Sequence, residues 1–138
     1  MRTTLLTVGR IKPPLAEADA HYRKLLRRYQ PLEVVEARDD ADLVRRIPVG
    51  AYAAALDRGG RERDSEGWSR WLEERRLEAR DVCLLIGGPG GLPHEALAAA
   101  RERTSFGSAT LPHQLARIVL LEQLFRAAKI LAGEAYHR

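Results

Sequence analysis

The stretch Val82-Cys83-Leu84-Leu85-Ile86-Gly87-Gly88-Pro89-Gly90-Gly91-Leu92 constrains this chain more than any other. Its apolar first half is too short for a buried helix and suits a strand covered on both faces. It then stops at four glycines around a proline. A strand that is apolar on both faces belongs in a parallel sheet with helices above and below, because that arrangement removes both rows of side chains from water. Glycines let another group approach the main chain closely, and ligands of open α/β sheets bind beyond the carboxyl ends of the strands. A tight turn would account for one or two glycines. Four flanking a proline favour backbone N–H and C=O groups displayed to a ligand. A second unusual run, Gly107-Ser108-Ala109-Thr110-Leu111-Pro112-His113, follows in the same half of the chain.

Periodicity supplies the surrounding elements. Thr3–Val8 reads as a strand, and residues 9–14 as a proline turn that carries Lys12. Residues 15–29 read as a helix, with Leu15, Tyr22, Leu25, Leu26 and Tyr29 on one stripe and Arg23, Lys24, Arg27 and Arg28 largely off it. Residues 32–36 form a second strand, 39–47 a short helix ended by Pro48, and 51–56 a third strand followed by a polar loop over 57–61. Ser65 can cap a helix that runs to about residue 77 and carries Trp68, Trp71 and Leu72. Residues 81–86 form the fourth strand, 95–103 a helix, 104–111 a segment with a short strand, and 113 to about 132 the last helix. This alternation predicts an α/β protein with a mostly parallel sheet flanked by helices. At 138 residues, a single domain over 1–138 is expected.

The last helix is apolar around most of its circumference, with a narrow polar wedge at Glu122, Arg126 and Lys129. Such a helix is buried on more than one side, and in so short a chain the second surface can be another subunit. Arg117 lies within the apolar face. A buried arginine is costly unless paired, so it either meets a carboxylate or serves a ligand or a subunit boundary. The formal charge of +4 mildly favours a polyanionic partner. Cys83 is the single cysteine and reads as an inert core residue, which fits a reducing cytoplasm. No apolar stretch approaches the roughly 20 residues of a membrane span, and the N-terminus lacks the pattern of a signal peptide.

Several chemistries fall away. No lysine follows the glycines as a phosphate-binding P-loop requires, and their spacing misses the dinucleotide fingerprint. His21, His94, His113 and His137 form no ligand pair at metal-binding spacing, so no metal is expected. No Gly-x-Ser-x-Gly elbow marks a hydrolase. His113 opens the last helix beside a loop, where positive charge is disfavoured, so a neutral ring there suits hydrogen bonding or base work as well as capping. The ending Tyr136-His137-Arg138 combines an aromatic ring, a titratable ring and a fixed cation, a set able to stack on a base and bind a phosphate.

These segments together resemble a known family. The run 82–92, then Ser108-Ala109-Thr110-Leu111-Pro112-His113, then Leu121-Glu122-Gln123-Leu124-Phe125-Arg126-Ala127 and the terminal Tyr136-His137-Arg138 are similar to the bacterial ribosomal large-subunit pseudouridine N3-methyltransferases of the SPOUT superfamily. Leu6-Thr7-Val8-Gly9-Arg10 and the helix bearing Tyr22 and Leu26 fit as well. The resemblance implies a SPOUT-type α/β knot, with a C-terminal trefoil knot, and a homodimer. It implies S-adenosylmethionine as methyl donor and, as substrate, the pseudouridine in the loop of helix 69 of 23S rRNA on the assembled 70S ribosome. Carried over, the cofactor pocket uses Leu56, Gly88, Gly107, Ser108, Ala109, Thr110, Leu111 and Pro112. By the same resemblance, Tyr136, His137 and Arg138 would lie near the cofactor and the incoming nucleotide. Arg23, Lys24, Arg27 and Arg28 are then expected to contact the rRNA backbone, with Tyr136 as a further RNA contact. His113 or His137 is the expected acceptor of the N3 proton, and Arg138 is expected to stabilise the developing negative charge. Two departures stand out. The segment 37–50 is shorter than the family's usual basic stretch and holds Arg38, Arg45 and Arg46 without a lysine, and Gly90 replaces a frequent acidic residue. They motivate a rival reading, a ribosome-binding or assembly protein of the same fold without catalysis; a knotted methyltransferase acting on tRNA is a third.

Overall fold

The computed structural model describes residues 1–135. Ten elements alternate as β1 (Thr3–Val8), α1 (Leu15–Leu26), β2 (Glu33–Ala37), α2 (Asp40–Arg46), β3 (Tyr52–Glu62), α3 (Ser65–Glu78), β4 (Val82–Ile86), α4 (His94–Ala99), β5 (Glu102–Ser105) and α5 (His113–Leu131). The strands form one sheet in the order β2-β1-β4-β3-β5, and every pairing is parallel. β4 is therefore the middle strand, and all of its residues are buried.

Alternation along β4 divides the core. Val82, Leu84 and Ile86 pack with Leu5, Leu26 of α1, Trp68 and Leu72 of α3, and Leu120, Leu121 and Leu124 of α5. Cys83 and Leu85 pack on the other face with Leu6, Ala53, Ala55, Leu43 of α2 and Ala96 of α4. Three helices thus cover one face and two short ones the other, as expected for a parallel sheet. Cys83 is fully buried, and burial pushes its thiol up to about 12, so it is the inert core residue its sequence context predicts.

Four boundaries differ from the sequence reading, each for a local reason. The first helix ends at Leu26, not at residue 29, and the amides of Tyr29 and Gln30 close a turn on the Leu26 carbonyl. Gln30 then turns inward to donate to Thr3 Oγ1 at 3.1 Å, ahead of Pro31, which disfavours helix in the residue before it. The third strand does not stop at Leu56. Its segment 57–60 bulges out of register, and Arg61 and Glu62 return to pair with β5. Gly60 permits this, because a Cβ there would lie 2.5 Å from the Thr104 amide nitrogen. The fourth helix ends at Ala99, and Glu102 and Arg103, read as helical, belong to β5, where pairing with Ala54 and Ala55 overrides local helix preference. α3 is capped by Asp64 rather than Ser65, its side chain accepting the Gly67 N–H at 2.7 Å.

Arg117 resolves to the paired alternative. Its Nε donates to Asp19 of α1 at 2.8 Å and its Nη1 to Glu36 of β2 at 2.7 Å. The Arg117 and Asp19 side chains are each 3% exposed. Burial opposes the charge on Glu36, yet hydrogen bonds from Arg117 and from the Ile11 N–H hold its carboxyl below the usual carboxylate range. Replacing Arg117 by Met would keep most of the volume but strip a buried carboxylate of its main partner. Urea unfolding of Arg117→Met is expected to show a loss of about 3–5 kcal/mol, and addition of Asp19→Asn to recover part of it. Equal stability of wild type and R117M would show that the ion pair contributes nothing.

Candidate active site

The carboxyl end of β4 opens into a cleft of about 660 Å³. Four segments line it: residues 56–58 from β3 and its bulge, 86–92 from β4 and the glycine loop, 105–107 and 109–113 from the loop after β5, and Ala116 from α5. The two runs that stand out in the sequence therefore face each other across one cavity. Leu56, Ile86, Leu111 and Ala116 supply apolar surface, the glycine loop supplies main-chain groups, and Asp57 and Arg58 are charged.

The glycine loop folds back on itself. Gly88 and Gly91 form an isolated antiparallel bridge, with the Gly91 N–H 2.9 Å from the Gly88 carbonyl. A Cβ on Gly87 would lie 2.3 Å from the Gly91 carbonyl carbon, so only glycine fits there. Gly90 differs, since a Cβ at that position meets nothing within 4 Å and its φ is not positive. The backbone at position 90 would therefore accept a side chain.

The opposite wall is tied to its surroundings. Ser105 Oγ accepts the Gly107 N–H at 3.0 Å and lies 3.3 Å from the Arg58 carbonyl, to which it can donate. Arg58 Nη1 donates to Thr110 Oγ1. Beyond His113, the Lys12 N–H donates to Gln114 Oε1 at 3.1 Å and Gln114 Nε2 to the Arg10 carbonyl at 3.3 Å, so the turn after β1 holds the first turn of α5. Behind the cleft, Phe106 packs against Trp68 with ring centroids 5.9 Å apart. Glu102 accepts from Trp71 Nε1 at 2.7 Å and from the Tyr52 hydroxyl at 2.6 Å. Burial and then that bond to Glu102 push the Tyr52 phenol up to about 12.

Of the residues singled out in the sequence, Leu56, Gly88, Gly107, Ala109, Thr110, Leu111, Pro112 and His113 line the cleft, whereas Ser108 does not. Arg23, Lys24, Arg27 and Arg28 lie elsewhere, on and just beyond α1. Arg23 pairs with Asp19 at 3.5 Å, and Arg27 and Arg28 stand past the helix in which they were expected. Tyr136, His137 and Arg138 lie outside the described residues. Sequence reading missed Asp57 and Arg58, which were assigned to a polar loop, and Phe106 and Ala116. The only signal for the charged pair was its place directly after Leu56. Among the described residues, no group of three or more His, Cys, Asp or Glu side chains is placed to hold a metal ion.

A parallel α/β sheet with a glycine-lined cleft at its carboxyl edge is the frame of a SPOUT methyltransferase. The family model described as "Predicted SPOUT methyltransferase" matches residues 1–137, and the chain belongs to that family. More particularly, it is 46% identical to the ribosomal RNA large subunit methyltransferase H of Rubrobacter xylanophilus over 154 aligned positions, which take in 99% of this chain and 98% of the relative. It is 40% identical to the protein of the same name from Gemmatimonas aurantiaca, over all of both chains. Both alignments span 154 positions against the 138 residues of this chain, so these relatives carry residues that it lacks. The fold is shared with a probable methylase family protein of Haemophilus influenzae, at a TM-score of 0.62 and 9% identity, covering 99% of this chain and 70% of that one.

The two glycines predict opposite responses. Gly87→Ala is expected to cost about 1–3 kcal/mol, because the methyl group collides with backbone that cannot swing away. Gly90→Ala is expected to stay within about 0.5 kcal/mol of wild type. Thermal unfolding of both variants checks this, and equal stabilities would mean that the loop is not held in the folded-back form.

Proposed function

We propose that this protein transfers a methyl group from S-adenosylmethionine to N3 of the pseudouridine in helix 69 of 23S rRNA. It would act as a homodimer on assembled 70S ribosomes in the cytoplasm, its residues 1–138 forming a single domain with the trefoil knot of its family. The observation that carries the reading is the convergence of the glycine loop and residues 107–113 on one cleft in a chain whose full-length relatives are rRNA methyltransferases.

The cleft suits the donor. S-adenosylmethionine has no phosphate, which agrees with a glycine loop that lacks the P-loop lysine. Leu56, Ile86, Leu111 and Ala116 give an adenine ring apolar surface, and the main chain of the glycine loop gives its polar edge hydrogen-bond partners. The donor supplies an activated methyl group on a sulfonium. The chain's own task is to hold the target nitrogen in line with that methyl, exclude water and accept a proton. His113 is the described histidine that lines the cleft, which supports it as the candidate for that last role. His137 and Arg138, the other two groups proposed for the reaction, lie outside the described residues. The homodimer finds support in α5, where Leu115 is 37% exposed and Ile118 and Val119 are only half-buried. The exposed Lys24, Arg27 and Arg28 offer a salt-sensitive contact for an RNA backbone.

Purified protein incubated with methyl-labelled S-adenosylmethionine and 70S ribosomes lacking the helix 69 methyl group should place label on that pseudouridine. Label on tRNA would replace the substrate. Cofactor binding without transfer to any RNA would favour the binding-protein reading that the short 37–50 segment and Gly90 motivate. His113→Ala is expected to lower kcat about a hundredfold and to change its pH profile. If H113A and H137A both left turnover unchanged across pH, neither histidine would be the base.

A further inference from the structure

Asp57 and Arg58 stand side by side with opposite charges, and both line the cleft. In a regular strand, neighbouring side chains point to opposite faces. Here the register slips between Leu56 and Arg61, and the bulge turns both residues toward the cavity. Neither makes an ion pair among the described residues. Arg58 is exposed and donates one N–H to Thr110 Oγ1, which leaves most of its guanidinium donors available. Asp57 accepts the Gly59 N–H at Oδ2, at 3.1 Å, which leaves Oδ1 available.

We propose that this pair recognises the zwitterionic amino-acid end of the methyl donor, Arg58 taking the α-carboxylate and Asp57 the α-ammonium. The assignment rests on the reading of the cleft as a S-adenosylmethionine site. Adenosine is uncharged, so although its ribose hydroxyls can donate to a carboxylate, it offers no anion to the guanidinium beside that carboxylate. An amino-acid end presents one anion and one cation a few bonds apart, which matches two adjacent side chains of opposite sign. A carboxylate also suits the planar fork of an arginine. An RNA phosphate would be drawn to Arg58 but repelled by Asp57 beside it, which disfavours that ligand. The Thr110 hydroxyl holds the guanidinium against the loop 107–112, so it is oriented before the ligand arrives.

The test is calorimetric titration of the whole protein with two adenosine thioethers. S-adenosylhomocysteine carries the amino-acid end; 5′-methylthioadenosine lacks it. Wild type is expected to prefer the first. Arg58→Gln and Asp57→Asn should each weaken S-adenosylhomocysteine about tenfold and leave 5′-methylthioadenosine unchanged. Unchanged 5′-methylthioadenosine binding also shows that the cleft is intact, and Asn can still accept the Gly59 N–H. A ratio of affinities that neither substitution alters would overturn the proposal, as would equal weakening of both ligands. So would an R58Q protein whose only defect is a raised KM for ribosomes, which would make Arg58 an RNA contact. A wild type that binds neither thioether would remove the cofactor reading itself, and the proposal with it.

Discussion

The burial of β4 on both faces is the constraint on which the rest of the molecule depends. Each large apolar side chain there contributes about 1.5–3 kcal/mol by leaving water, and that gain requires helices above and below the sheet. Between β1 and β3, β4 lies in the middle, so its exit is flanked by the ends of two parallel neighbours. The chain leaving it must turn at once, in a crowded place, to reach α4. Gly87 answers that crowding, since the loop returns so close that a methyl group has no room. The cleft is what remains between this folded-back loop and the segment after β5, the strand on the far side of β3.

Apolar packing alone would leave α5 free to slide along the sheet, because hydrophobic contacts tolerate repacking. The buried Arg117 removes that freedom. It sits one residue beyond Ala116, which lines the cleft, and reaches α1 through Asp19 and β2 through Glu36. The same Glu36 oxygen accepts the Ile11 N–H, and the neighbouring Lys12 N–H bonds Gln114. One ionic junction therefore connects the turn after β1, the edge strand and the first turns of α5. A desolvated charge is tolerable only in such a geometry, so the junction fixes position even where its net contribution to stability is small. His113, one turn earlier on α5, inherits its place from this junction.

Legibility in the sequence followed the strength of each local signal. The doubly apolar 82–86 run, the glycine loop and the long apolar helix were readable because burial leaves an unmistakable pattern in residue type. Arg117 could be flagged as buried, but its partners Asp19 and Glu36 are distant in sequence and no periodicity links them. β5 was misplaced because Glu102 and Arg103 have no strand preference of their own and take that form only by pairing with β3. The same pairing hid Asp57 and Arg58. A polar stretch with two glycines looks like a loop, and only the slip in register against β5 shows it to be a bulge facing the cleft. What sequence cannot show in such a chain is which charges a long-range register brings together.

The wall formed by residues 105–112 has little regular structure beyond the end of β5, yet it is bound at both ends. Ser105 and Thr110 attach it to the β3 bulge, and Gln114 attaches the helix that follows to the turn after β1. A loop that must be ordered by its ligand spends part of the binding free energy on its own conformational entropy. One already anchored in this way leaves that free energy for discrimination. The bulge is the economical place for the anchors, because it is fastened by strand pairing on both sides, at Leu56 and again at Arg61. The segment that pins the wall is also the segment that carries the cleft's paired charges, and because Ser105 bonds the main-chain carbonyl of Arg58, that anchor survives a change of the Arg58 side chain.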